Sequence, residues 1–129
     1  MNYSNSNWYK FSLYFNRDSE EKELLASVAR KTGKLLALSD EMSQLLQEED
    51  GWEVYYAVIM ISNKYGGGER LKAEFETLEK EVEALLDIRD TKSDQGERNK
   101  INVILYETLR VTNRYGAIKD TLEEKWKNR

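Results

Sequence analysis

Acidic pairs are the first residues in this chain that could do chemistry. Glu76-x-x-Glu79 and Glu83-x-x-x-Asp87 set carboxylates about one helical turn apart, and clustered carboxylates are what a hard cation such as magnesium binds. The rest of the inventory is narrow. The 129 residues include no histidine, cysteine or proline. That removes imidazole bases, thiolate nucleophiles and soft metal ligands. Carboxylates, lysines, arginines and hydroxyls remain, and nothing in the sequence marks a Ser–Lys dyad.

The acidic spacings resemble those of all-α nucleotide pyrophosphohydrolases of the MazG type, which use an ExxE pair on one helix and an ExxD-like pair on the next. Here both pairs fall on one helix, and Glu76 and Glu79 point away from its apolar seam. They cannot converge on an ion without a second chain, so a solvated acidic face is expected. A carboxylate–metal nucleotide hydrolase is therefore the third functional reading. Helical ribonucleases built on Arg-x4-His and ferritin-like sites built on Glu-x-x-His both need the missing histidine. No catalytic residue, metal site or cofactor is assigned, and the chain reads as non-catalytic.

Basic residues form the second constellation. Arg98 and Lys100 open the last helical segment, and Arg110 and Arg114 follow one turn apart with Asn113 between them. Arginines on a helix can grip phosphates, and asparagine can read an adenine edge. A nucleic-acid-associated subunit is the alternative function on this basis. Against it, the net charge is −4. Residues 69–97 hold ten acids against five bases, and residues 98–129 hold eight bases against four acids. The expected use of the basic stripe is internal pairing with the acidic middle helix.

Aromatic residues form the third. Residues 8–15 (WYKFSLYF) hold five aromatics, and Tyr and Trp are enriched at interface hot spots. Tyr3, Trp8, Tyr9 and Tyr14, together with the acidic surface of Glu76, Glu79 and Glu83, are the candidate partner-binding residues. The function expected is a non-catalytic protein-binding module, with a homodimer as one form. In size and helicity the chain is similar to small immunity proteins and phage-encoded inhibitors, which implies action by occupying a partner protein.

These residues must be carried by helices. The expected fold is all-α, a mainly antiparallel four-helix bundle over residues 17–129 with an aromatic arm over 1–16. The arm is expected to cover the open end of the bundle; docking on another chain is its other use. Helices are expected at about 19–48, 51–65, 69–89 and 97–126. The first is capped by Asp18 or Ser19 with Glu20, Glu21 and Glu23 in its opening turn. Its seam is Leu25, Val28, Leu35, Leu38, Met42 and Leu45, interrupted at Thr32, and Gly33 suggests a kink or a close helix contact. Leu71, Phe75, Leu78, Val82 and Leu85 recur at spacings of four and three, one seam of a heptad helix. Ile101, Ile104, Thr108, Val111, Tyr115, Ile118 and Leu122 form another. Two such helices joined by a polar loop over 90–96 should pack antiparallel.

The segment 52–61 is apolar on every side, which predicts a central buried helix. Its residues are also strand formers, so an α+β form with strands near 9–15 and 53–61 is the alternative fold. Gly66-Gly67-Gly68 should end this element, and no Gly-Lys-Ser/Thr follows to make it a phosphate loop. The longest apolar stretch, Val54 to Ile61, has eight residues, short of the roughly twenty a membrane span requires. Without cysteines or a secretory signal in 1–7, a cytoplasmic protein is expected.

Overall fold

The structure, a computed structural model, describes residues 6–47 and 51–127, with side chains from Glu20 onward. Among the described residues there are four helices, α1 (Ser6–Gln44), α2 (Gly51–Lys64), α3 (Gly68–Thr91) and α4 (Gln95–Lys127), with a 3₁₀ turn at Leu45–Gln47 after α1. Among the described residues there is no strand, so the α+β alternative fails at both 9–15 and 53–61.

Helix α1 starts near Ser6 rather than near residue 19. Asp18 and Ser19 cap only if the backbone turns there, and no glycine or proline before Gly33 makes it turn. Residues 6–16 of the segment read as an arm are therefore the first part of a long helix. Tyr3 lies outside the described residues, as do the side chains of Trp8, Tyr9 and Tyr14.

The later boundaries follow local chemistry. At the end of α2, Gly67 N–H donates to Ser62 O (2.9 Å) and Gly66 N–H to Asn63 O (3.2 Å). This is a Schellman closure, and it requires the left-handed backbone that Gly66 adopts at φ 105°. Gly68 does not belong to the stop; it opens α3. At the other end, Asp94 caps α4 by accepting Glu97 N–H at 3.1 Å. The polar stretch 90–96 thus becomes mostly helix end, with only Lys92, Ser93 and Asp94 outside both helices.

Three long helices pack side by side. Phe75 meets Tyr115 with ring centroids 5.2 Å apart, and Arg89 donates to Asn102 at 3.0 Å, so α3 and α4 are antiparallel. Lys34–Glu74 (2.8 Å) and Lys92–Glu21 (2.9 Å) set α3 antiparallel to α1 as well. Helices α1 and α4 then run parallel, as Thr32 opposite Thr108 and Asp40 opposite Arg114 show. The seams read from the sequence supply the core. Leu35, Leu38, Met42, Val54, Leu71, Val111, Ile118 and Leu122 form one cluster, and Val28, Leu78, Leu85 and Ile101 form the other.

Thr32 is not a break in the seam. It is 6% exposed, Thr108 is 3% exposed, and their hydroxyls bond each other at 2.8 Å. Gly33 makes no close contact, since a Cβ there would meet nothing within 4 Å.

The largest departure is α2. Only Gly51 and Val54 on it are buried, while Tyr56 is 60% and Met60 69% exposed. At 14 residues this helix is about 21 Å long and cannot span the bundle. It packs over the end where α1 finishes, with Val54 entering the larger cluster, and its opposite side meets solvent.

Two outcomes follow. Replacing Thr32 alone with valine strands the Thr108 hydroxyl and should cost about 1–3 kcal/mol, whereas Thr32→Val with Thr108→Val should recover most of it; urea denaturation of the two singles and the double checks this. Gly33→Ala should stabilise by about 0.5–1 kcal/mol, because helix propensity improves with no clash, read as a raised melting temperature.

Candidate functional site

The exposed side of α2 is the most concentrated apolar surface the described residues present. Trp52, Tyr55, Tyr56 and Ile59 sit at i, i+3, i+4 and i+7, one helix face, with Met60 beside them. The rings hold each other. Trp52 meets Tyr55 edge-on at 6.1 Å and stacks on Tyr56 at 6.3 Å, while Tyr55 and Tyr56 are 5.7 Å apart. Tyr55 also meets Trp126 of α4 at 5.6 Å. Rings already packed on one another lose little rotamer freedom when a partner covers them, which favours affinity.

The other end of α2 is tied to α1 by polar contacts. Lys64 and the Tyr65 hydroxyl both bond the Glu41 carboxylate. The Lys64 ammonium, followed by the Tyr65 hydroxyl, holds the Glu41 carboxyl below its ordinary range. Bonded to that carboxylate, the Tyr65 phenol is raised. These exposed contacts orient the helix more than they stabilise it.

A second feature runs between α3 and α4. A groove of about 500 Å³ is floored by Phe75, Leu78, Val82, Leu105 and Tyr115, with Glu79 and Glu83 along its α3 edge. Burial raises the Tyr115 phenol, so this group is a neutral hydroxyl across the physiological range. Val103, Tyr106 and Leu109 of α4 add exposed apolar area.

The acidic candidates Glu76, Glu79 and Glu83 are all exposed on α3. Glu79 and Glu83 share the groove edge, and Glu76 and Glu79 line the adjoining hollow toward α2. Among the described residues no group of three or more acids is placed to hold a metal ion.

The basic candidates divide. Arg110 is paired with Glu107 at 2.6 Å and Arg114 with Asp40 at 2.5 Å, with Asn113 exposed near them. Arg98 and Lys100 stand near the far end of α4, and being two residues apart they do not share a helix face.

Among the described residues the expected pairing of acidic α3 with basic α4 does not occur. Glu74 and Glu81 of α3 bind Lys34 and Lys31 of α1, and Arg114 of α4 also turns to α1. The reason is geometric: Glu74 and Glu81 lie on the α1 side of the α3 seam, opposite lysines one turn apart.

Sequence reasoning missed Trp52, Tyr55, Tyr56, Ile59 and Met60 as surface residues because it assigned that helix to the interior. One signal was available. Three other seams already supplied a complete core, and α2 was the shortest helix. No helix among the described residues is long and apolar enough to cross a membrane.

Comparison with known proteins adds nothing to these observations: no family model matches this chain, and neither curated proteins nor solved structures returned a match.

Proposed function

We propose that this chain is a non-catalytic module that binds another protein through the exposed face of α2. One observation carries the reading: Trp52, Tyr55, Tyr56, Ile59 and Met60 are exposed together on one rigidly placed helix. Scattered exposed apolar residues are ordinary, but a contiguous aromatic patch is the signature of an interaction site. Tyr and Trp are also the residues that dominate binding energy where interfaces have been dissected.

The patch suits a partner offering an apolar cleft with polar edges. Its tyrosines carry hydroxyls that can bond at a rim while their rings are buried. Glu53 and Lys64 flank it with opposite charge, which fixes the orientation of docking more than its strength. The finer form of the proposal is a small inhibitor or immunity-type protein, acting by occupying a surface on its target. A compact helical module with its contact residues on one short helix suits that mode, which needs no chemistry of its own.

The nucleic-acid reading draws less support. Two of its arginines are engaged by Glu107 and Asp40, and the apolar residues around them (Val103, Tyr106, Leu109) present no continuous positive stripe.

The test uses the double variant Tyr56→Lys/Met60→Lys. Both positions are exposed, so its melting temperature should stay close to that of the parent chain, because surface changes usually shift stability by less than about 0.5 kcal/mol. A protein retained by the immobilised parent from source lysate, and confirmed with the purified pair, should lose at least about tenfold in affinity with the variant. Equal retention by parent and variant would remove the α2 face from the interface. Micromolar binding of mixed DNA or RNA at low salt, unaffected by the variant, would favour the nucleic-acid reading instead.

A further inference from the structure

The α3–α4 groove is separate from the α2 face and calls for an occupant of different chemistry. Phe75, Val82 and Leu86 of α3 and Leu105 and Tyr115 of α4 stand along it half-buried. In an antiparallel bundle, residues in such a position are covered by a further long helix. Helix α2 is too short to serve, and none of its residues lines the groove. Along α3 the groove reaches from Phe75 to Leu86, about 17 Å of helix. A helix with apolar residues at i, i+4, i+7 and i+11 has an apolar side of that length.

The two rims differ. On the α3 rim stand Glu79 and Glu83, the only charged residues of the lining, and Glu76 continues the ridge into the adjoining hollow. None of the three takes part in an ion pair among the described residues. Lys72 and Lys119 lie farther along, in that hollow, and Lys80 is about 140° round α3 from Phe75, away from the trough. On the α4 rim Leu109 is 60% exposed. The Thr112 hydroxyl beside it already donates to Leu109 O at 3.0 Å.

This asymmetry selects the occupant. A helix covering the floor with apolar side chains alone would strip water from the carboxylates and return nothing. An acidic helix would be repelled. Lys or Arg at i+1 and i+8 stands on one flank only, roughly 70–90° from the centre of the apolar side. That is where a rim meets a helix seated in a trough. Glu76 and Glu83 are likewise seven positions apart, with Glu79 between them.

We propose that the groove binds a basic amphipathic helix of another protein, apolar side down, with its cationic flank against Glu79 and Glu83. The bound helix supplies the fourth long member of the bundle. The site does not depend on the α2 face.

Three synthetic peptides of about eighteen residues, long enough to form helix, test this with the full chain. The first has leucine at heptad positions a and d, lysine at e, and alanine or glutamine elsewhere. The second carries glutamate in place of lysine, and the third scrambles the first so that its apolar period is lost. By fluorescence anisotropy the parent should bind the lysine peptide at least about tenfold more tightly than either of the others. Glu79→Gln/Glu83→Gln should remove the discrimination between lysine and glutamate, and Glu79→Lys/Glu83→Lys should invert it. Leu109→Gln should weaken the lysine peptide several-fold through the apolar rim. Tyr56→Lys/Met60→Lys should leave its affinity unchanged, which separates this site from the α2 face. All these positions are exposed, and circular dichroism first confirms that each variant keeps the parent's helicity and melting temperature. A lysine peptide bound no more tightly than the scrambled one, or a reversed variant that keeps the parent's preference, would overturn the proposal. So would light scattering that finds a dimer dissociated by the reversal, since the groove would then belong to a second copy.

Discussion

The architecture depends on the buried contact between α1 and α4 at Thr32 and Thr108. Around it the two helices run parallel and bury Val28, Leu35 and Leu38 against Ile101 and Val111. A leucine seam could slide by a turn at modest cost, because one apolar side chain replaces another. Sliding two facing hydroxyls apart gives up a buried hydrogen bond that no apolar neighbour replaces. The pair favours one alignment of the two longest helices, and the Asp40–Arg114 ion pair lies in the same register. Among the described residues no buried side-chain polar atom lacks a partner.

Charge then places α3. With α1 and α4 aligned, α3 docks antiparallel to both, and Lys31 and Lys34 of α1 meet Glu81 and Glu74. These pairs lie partly sheltered at the edge of the core, where they select a neighbour and its direction more than they add stability. The other side of α3 keeps Glu76, Glu79 and Glu83 in solvent. The acidity of this helix is thus divided between an internal use and an external one, and Asp40 and Glu107 pair instead with Arg114 and Arg110 of α4.

Helix α2 takes the position that remains. Three long helices already close a core, so a short apolar helix can bury only one side, at the end of the stack. Val54 faces inward, while Trp52, Tyr55, Tyr56, Ile59 and Met60 face out. Exposed aromatic area lowers solubility and promotes association, and the ring–ring contacts with Trp126 hold this area in a fixed shape. The same packing leaves the trough between α3 and α4 open, because no fourth long helix runs along it.

Much of this was legible in the residues. The seams of α3 and α4 and most of the α1 seam were readable because a helix writes its buried face locally, every three or four positions. Glycine marked the end of α2 because a Schellman closure needs a left-handed residue at Gly66. Less legible were the boundaries. Asp18 has the chemistry of a cap inside what is continuous helix, and residues 95–96 look like loop while forming the first turn of α4. Polarity reports exposure, and an exposed helical turn is as polar as a loop.

What the sequence by itself determined is the inward side of each long helix and the absence of thiol and imidazole chemistry, and it favoured an all-helical fold over an α+β one. These are properties of residue type and short-range spacing. Only the tertiary structure decided that α2 faces solvent, that the glutamates of α3 answer lysines of α1, and that Thr32 has a hydroxyl partner 76 residues away. Each of those depends on which surfaces meet after the chain has folded back on itself. Periodicity shows that a helix has an apolar side, but the competition among helices for a limited core decides which of those sides is buried.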